Sequence, residues 1–259
     1  MGDTRRLFAH AIGIDLSRVS IVINDVAQDT DIQQFHDLIK KRLTRQPVSQ
    51  LIGKREFYGR DFAVSPDVLD PRPDTETLVE QALGVPFESV LDLGTGSGCI
   101  LISLLCERRQ ATGLGVDSSE HAVSLAEQNA NALSVIGRAT FVVSNWFDQI
   151  DGHFDLIVSN PPYVTAQEYS NLQPELRQWE PKQALTPGGD GLDAYRIIIA
   201  GAPTHLRQSG HLIVEIGQNQ GPDVWQMFER AGFGDIQMVP DIDERDRVVL
   251  GQYPGNNAP

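Results

Sequence analysis

The chain has 259 residues, of which 41% are hydrophobic and 22% charged; this supplies a buried core and excludes global disorder. No apolar run reaches the length of about eighteen residues that a membrane-spanning helix needs, and Met1-Gly2-Asp3-Thr4-Arg5-Arg6 leads to no signal-peptide core, so a soluble cytoplasmic protein is expected. The net charge of −14 is uneven, with +1 on residues 1–50 and −15 on the remainder, and so acidic a main body repels phosphate backbones and makes a poor general nucleic-acid binder.

Residues 1–45 read as helical. Leu7, Phe8 and Ile12, then Ile32, Phe35, Leu38, Ile39 and Leu43, recur at spacings of three and four. Thr30 or Asp31 is expected to cap the second helix, and Lys40-Lys41-Arg42 near its end suits the helix dipole. Gln46-Pro47 breaks the pattern. Glu56 to Val64 reads as a small hairpin turning at Gly59. Val68-Leu69-Asp70-Pro71-Arg72-Pro73-Asp74-Thr75-Glu76 reads as an extended connector, ending where Asp74 or Thr75 caps a helix over 76–83. The boundary between a small domain and the main one is placed near residue 70.

From Ser89 onward strands and helices alternate. Strands are predicted at 89–93, 113–116, 140–143, 155–159 and 211–216, and helices at 99–109, 120–133, 193–206 and 222–231. Strands at 236–239 and 248–252 have no helix between them. This period implies an α/β fold: a mainly parallel, Rossmann-like sheet with helices on both faces and an antiparallel hairpin at one edge. The tail Gly255-Asn256-Asn257-Ala258-Pro259 is expected to fray. Cys99 and Cys106 fall on one predicted helix, about 10 Å apart along its axis and too far for a disulfide. The six histidines form no HxxxH or HxH pattern, so no metal is expected.

The chemistry gathers at strand ends. Asn160-Pro161-Pro162-Tyr163 follows the apolar run Phe154 to Ser159. Two consecutive prolines donate no N–H, so the strand stops there as a stiff edge. Ligands of open α/β sheets bind beyond the carboxyl ends of strands, so the Asn160 carboxamide and Tyr163 are expected at a ligand site. Asp92-Leu93-Gly94-Thr95-Gly96-Ser97-Gly98 occupies the first strand-to-helix turn. It fails the nicotinamide pattern, whose last glycine would fall at Cys99, and instead has G-x-G-x-G with an acidic residue two positions ahead. That arrangement looks like the S-adenosylmethionine loop of class I methyltransferases, with Gly94, Thr95, Gly96, Ser97 and Gly98 as cofactor contacts and a helix N-terminus for the methionine carboxylate. Asp117 ends the second strand, where a carboxylate accepts hydrogen bonds from both ribose hydroxyls; taken alone it reads as a helix cap. Asn145 and Trp146 end the third strand and suit adenine, one through a polar edge and the other through a flat apolar face. A core aromatic pair Trp146–Phe147 is the alternative.

The combination resembles the HemK/PrmC family, the peptide-chain release factor N5-glutamine methyltransferases. The likeness covers roughly residues 46–252. It is carried by Pro71 to Glu76, Asp92 to Gly98, Asn160 to Tyr163, Glu180-Pro181 with Ala184-Leu185, Gly189 to Leu192, Glu215-Ile216-Gly217 with Gln220, and Asp246 to Val249. Asn-Pro-Pro-Tyr alone is not specific, because DNA adenine and RNA guanine methyltransferases share versions of it; the Arg-Pro-Asp-Thr-Glu connector discriminates. The resemblance implies an N-terminal helical substrate-docking domain at 1–50, a hairpin and connector at 51–75, and a methyltransferase domain at 76–259. The connector arrives early, so the first family helix is expected to be short or missing, and Asp70 stands where an aliphatic residue is usual.

The implied reaction moves a methyl group from S-adenosylmethionine to the N5 of the glutamine in the Gly-Gly-Gln loop of class I release factors, leaving S-adenosylhomocysteine. An amide nitrogen is a poor nucleophile because its lone pair is delocalised. The enzyme must therefore mainly orient it. The Asn160 oxygen, itself also at the cofactor, and the Pro161 carbonyl accept the two amide hydrogens, Pro162 stiffens the turn, and Tyr163 packs on the flat amide. Arg72, Thr75 and Glu215 are expected to line the substrate pocket. The competing substrates are a ribosomal-protein glutamine and, disfavoured by the acidic main body, the N6 of adenine or N2 of guanine in nucleic acid.

Overall fold

A computed structural model describes residues 2–255. The tail from Asn256 to Pro259, expected to fray, lies outside the described residues.

The N-terminal unit is helical. It comprises α1 (Asp3–Ala11), a 3-10 turn at Leu16–Arg18, α2 (Val19–Val22), α3 (Asp29–Leu43) and α4 (Val48–Ile52). Leu7 and Ala11 of α1 meet Leu38 of α3 in a core of their own, with Phe35, Ile39 and Leu51 packed around it. Neither Thr30 nor Asp31 caps α3. The helix starts earlier, at Asp29, so both fall inside its first turn, and Gln28 at the cap position makes no side-chain bond. Asp29 and Asp31 there, and Lys40 to Arg42 in the last turn, still oppose the helix dipole. Arg42 also reaches Asp3 of α1 at 2.7 Å.

The hairpin pairs β1 (Lys54–Phe57) with β2 (Arg60–Ala63) through Tyr58 and Gly59, whose φ values of 48° and 70° are those of a type I′ turn. Phe57 and Phe62 plunge from it into the main core. A 3-10 turn at Pro73–Thr75 leads into α5 (Glu76–Gly84), again without the expected side-chain cap. The Thr75 hydroxyl is engaged elsewhere.

The main unit then runs β3 (Ser89–Leu93), α6 (Cys99–Glu107), β4 (Thr112–Asp117), α7 (Glu120–Ala132), β5 (Ala139–Val143) and β6 (Phe154–Ser159). Three short helices follow, α8 (Ala166–Ser170), α9 (Pro174–Trp179) and α10 (Lys182–Leu185), none of them expected from the sequence. The chain closes with α11 (Asp193–Gly201), β7 (Leu206–Glu215), α12 (Gly221–Arg230), β8 (Gly234–Pro240) and β9 (Asp246–Gln252). The helix expected over 193–206 stops at Gly201. Pro203 sits in a 3-10 turn after it, and Leu206 already belongs to β7.

The seven strands stand in the order β5-β4-β3-β6-β7-β9-β8. The first five are parallel, and β9 runs antiparallel to both of its neighbours. Side chains alternate between the faces as a pleat requires. Val90, Leu156 and Val158 join α5, α6, α7 and the hairpin phenylalanines, whereas Leu91, Leu93 and Ile157 join Tyr195 and Ile198 of α11 and Phe228 of α12. Asn129 of α7 binds Ala63 twice, accepting its N–H at 2.8 Å and donating to its carbonyl at 3.2 Å, which fastens the hairpin to the main unit. Cys99 and Cys106 are both free thiols on α6.

Candidate active site

Strand order sets the site out as a row. The carboxyl ends of β5, β4, β3 and β6 lie side by side, three inter-strand steps of about 4.8 Å each, so their end residues span roughly 14 Å. One cleft runs along them and contains Trp146, Asp117, Gly94 to Ser97 and Asn160.

At the end of β3 the chain reverses through Gly94, Gly96 and Gly98, with φ values of 72°, 55° and 78°. The left-handed region is open to glycine without a steric penalty. The N–H groups of Gly94 and Thr95 both bond the carbonyl of Val116 at 2.9 Å, and the Thr95 hydroxyl donates to Asp92 at 2.7 Å. A Cβ on Gly98 would stand 2.8 Å from Ile102 Cδ1 and 3.1 Å from the Cβ of Ala126, so this glycine lets α6 lie against α7. Asp92 is fully buried, and burial pushes its carboxyl up to about 7 against the Thr95 hydrogen bond.

At the end of β4, Asp117 accepts the N–H of Gly96 and that of Ser119, each at 3.0 Å. Burial raises its carboxyl, and these main-chain donors hold it down. The cap of α7 is Ser119, which accepts from Ala122 N–H, so Asp117 is not the cap it resembled in isolation. At the end of β5, Trp146 adopts φ 51°, an uncommon conformation for a bulky residue and one that concentrates at functional sites. It lines the cleft near Gly94, whose Cβ position is 3.9 Å from Trp146 Cζ3. Phe147 turns the other way and stacks on His205, with centroids 4.7 Å apart. The two aromatics therefore part. Asn145 lines the cleft mouth and holds Asp148 at 3.3 Å.

At the end of β6, Asn160 and Pro162 face the cleft while Pro161 is buried. Asn160 Nδ2 donates to Thr75 Oγ1 at 3.0 Å, and the Thr75 hydroxyl donates to Glu215 Oε2 at 2.6 Å. Among the described residues nothing donates to the Asn160 carboxamide oxygen. Tyr163 and Glu215 were expected on the pocket wall and stand behind it. The Tyr163 hydroxyl donates to Glu215 Oε1 at 3.2 Å, and its ring faces a neighbouring groove with Gly217 and Gln220. Burial pushes Glu215 up to about 7, opposed by Thr75, the Arg247 charge and Tyr163. Burial also raises the Tyr163 phenol, with the Glu215 charge adding.

The connector covers the cleft from the far side. Val68 to Arg72 and Thr75 line it, facing Pro181, Gln183 and Ala184 after α9. Arg72 pairs with buried Glu180 at 2.9 Å, Asp70 N–H donates to the same carboxylate at 3.2 Å, and the Ser49 hydroxyl binds Asp70. Burial pushes Glu180 up to about 7 and raises Asp70 as well, against the charge of Arg72 in both cases. Val68, Ser118, Ser119 and Gln183 were not singled out from the sequence. The paired hydroxyls directly after Asp117 were a legible signal of a polar wall; Val68 and Gln183 carried none.

The row fits S-adenosylmethionine. Glycines with left-handed φ leave room for a close backbone approach, Asp117 is a carboxylate with acceptor capacity left for a diol, and Trp146 gives a flat apolar face at the far end. Such residues would hold the amino-acid end, the ribose and the adenine in turn. A mainly parallel seven-stranded sheet with an antiparallel closing pair and this loop defines a Rossmann-like methyltransferase. The comparisons agree. Residues 65–192 match the methyltransferase small domain, and residues 2–53 match the PrmC N-terminal domain. The chain is 49% identical over 252 residues to the release factor glutamine methyltransferase of Cereibacter sphaeroides, spanning 97% of this chain and 91% of that one. It is 43% identical to the enzyme of the same name from Rhodospirillum rubrum, over 96% and 78% of the two chains. A methyltransferase from Pyrococcus furiosus shares the fold, with a TM-score of 0.58 at 16% identity over 86% of this chain and 98% of that one. The chain belongs to the release factor glutamine methyltransferase family.

Proposed function

We propose that the protein methylates the N5 of the glutamine in the Gly-Gly-Gln loop of class I release factors, in the cytoplasm where termination takes place. The observation that carries this reading is the Asn160 carboxamide at the end of β6. Its N–H side is spent on Thr75, which leaves its oxygen as an acceptor beside the glycine turn. S-adenosylmethionine, when bound, supplies an electrophilic sulfonium methyl. Asn160 Oδ1 and the Pro161 carbonyl hold the two hydrogens of the substrate amide. That pair of acceptors fixes the nitrogen and favours the positive charge it gains in the transition state. Pro162 keeps the turn stiff, and Tyr163 supports it from behind. The charged side chains lining the cleft are Asp67, Asp70, Arg72 and Asp117, and the lining includes no histidine or lysine. A base of that kind is not needed, because the methylated nitrogen is acidic enough to release its proton to water. The −15 balance beyond residue 50 supports a protein substrate over a phosphate backbone.

The test is methyl transfer from labelled S-adenosylmethionine to a purified class I release factor. Controls are the same factor with its Gly-Gly-Gln glutamine replaced by alanine, a panel of ribosomal proteins, and duplex DNA. Label on the intact factor alone is expected. Label confined to a ribosomal protein or to DNA overturns the substrate and leaves the cofactor reading standing.

A further inference from the structure

Thr75 and Glu215 stand in a row behind Asn160, and once Glu215 is ionised the direction of each hydrogen bond in that row is set. A threonine hydroxyl has one hydrogen to give and lone pairs to receive. An ionised carboxylate only accepts, so Glu215 takes the Thr75 hydrogen at 2.6 Å. Thr75 Oγ1 then faces Asn160 as an acceptor alone, and the half of the carboxamide turned to it at 3.0 Å must be the NH2. The oxygen is the half left for the cleft.

We propose that Thr75 and Glu215 are positioning residues that set which way the Asn160 carboxamide faces, and so whether the site accepts a primary amide. The proposal rests on the functional reading above and deepens it. A reversed carboxamide would present N–H groups to the N–H groups of the substrate, donor against donor. The two orientations have the same shape, so packing does not choose between them; the relay does.

The row is anchored from several elements. Tyr163 after β6 donates to Glu215 Oε1 at 3.2 Å, and Tyr195 on α11 donates to the Glu215 carbonyl at 2.9 Å. The Arg247 guanidinium on β9 favours the ionised carboxylate, whereas Asp74 beside Thr75 disfavours it. Cys99 on α6 also faces this charge, its thiol pushed up to about 12 by burial first. Burial brings the Glu215 carboxyl to about 7. A protonated Glu215 can itself donate to Thr75 and reverse the row, so turnover is expected to rise as pH climbs through that region.

The experiment compares wild type, Thr75→Val, Thr75→Ser and Glu215→Gln for kcat, KM, cofactor affinity and the pH profile of kcat. Thr75→Val keeps the shape and removes both hydrogen bonds; a misdirected amide is expected to lower kcat about 100-fold with cofactor affinity preserved. Thr75→Ser restores the hydroxyl and is expected to restore kcat. Glu215→Gln has no proton to lose and is expected to abolish the rising limb of the profile. In parallel, the side-chain amide resonance of Asn160 reports its bond to Thr75 without any turnover, and is expected to shift upfield and exchange faster in Thr75→Val. Wild-type kcat in Thr75→Val, equal impairment in Thr75→Ser, a limb that survives Glu215→Gln, or an unmoved Asn160 resonance each overturn the relay. A wild type that binds cofactor and labels no release factor strikes the functional reading instead, and the resonance still decides the relay.

Discussion

Asp117 Oδ2 receives the main-chain N–H of Gly96 at 3.0 Å, so the carboxylate at the end of β4 is stitched to the glycine turn at the end of β3. Its other oxygen takes Ser119 N–H at the start of α7. One side chain thereby holds the cleft in shape and keeps lone pairs that would suit a ribose diol. Asp117→Ala removes both services. Hydrogen bonds to a charged group are each worth about 1.5–3 kcal/mol, so two lost ribose contacts predict at least about 100-fold weaker S-adenosylmethionine binding. Asp117→Asn can still accept from Gly96 through its oxygen but turns an NH2 toward Ser119 N–H, and is expected to recover part of the lost melting temperature but not the affinity. Titration calorimetry and thermal melts separate the two, and Asp117→Ala binding with wild-type affinity would rule out the ribose role.

Gly98 predicts a different kind of loss. A methyl there meets Ile102 and Ala126 inside 3.2 Å and also suffers the left-handed φ of 78°. Conformational strain of about 1–2 kcal/mol adds to overpacking of about 1–3 kcal/mol. Gly53 has a similar φ of 76° with open space around it. Gly53→Ala therefore measures strain alone. Chemical denaturation should show Gly98→Ala losing clearly more than Gly53→Ala; equal losses would mean that the α6–α7 contact yields at no cost.

The parallel half of the sheet was legible where its strands are short apolar runs before a punctuated turn, as at Leu156 to Ser159 and Leu212 to Val214, whereas the polar first half of β7, Arg207 to Gly210, was not. The same logic located the glycine turn, Asp117 and Asn160, since strand ends in such a sheet share one edge. Residues 164–192 were not legible as structure: α8, α9 and α10 have five, six and four residues, too few to show a helical period. The capping box of Thr165 and Glu168 was nonetheless present in the sequence. The place of Glu215, and its bond to Thr75, were missed for a deeper reason. The two are 140 residues apart in sequence, and only the packing of the Pro73–Thr75 turn and α5 against β7 brings them to one hydrogen bond. Residue type predicted that they matter near the site, whereas it is burial that decides that Glu215 stands behind the wall. The position of β9 inside the edge pair was likewise a property of the assembled sheet.

The buried carboxyls predict how stability varies with pH. Burial lifts Asp92 from an ordinary 3.8 to about 7, and Glu215 from 4.5 to about 7. Each group holds its proton more tightly in the folded chain than in the unfolded one. Its contribution is complete below the ordinary value and is lost as pH rises through the folded one. Melting temperature should therefore carry a falling component between about pH 4 and about pH 7 and level off above it. Asp92→Asn removes one of the two charges and keeps an oxygen for the Thr95 hydroxyl. Relative to wild type it is expected to gain melting temperature steadily across that interval, because only the wild type must bury a new charge. Glu180, also brought to about 7, has Arg72 beside it to share the charge once formed; Asp92 has the nearby Asp117, which makes its own ionisation harder. Asp92→Asn should thus flatten the profile more than Glu180→Gln. A difference between Asp92→Asn and wild type that stays constant from acid to alkaline pH would mean that Asp92 is ionised throughout and that the N-terminal turn of α6 compensates its burial.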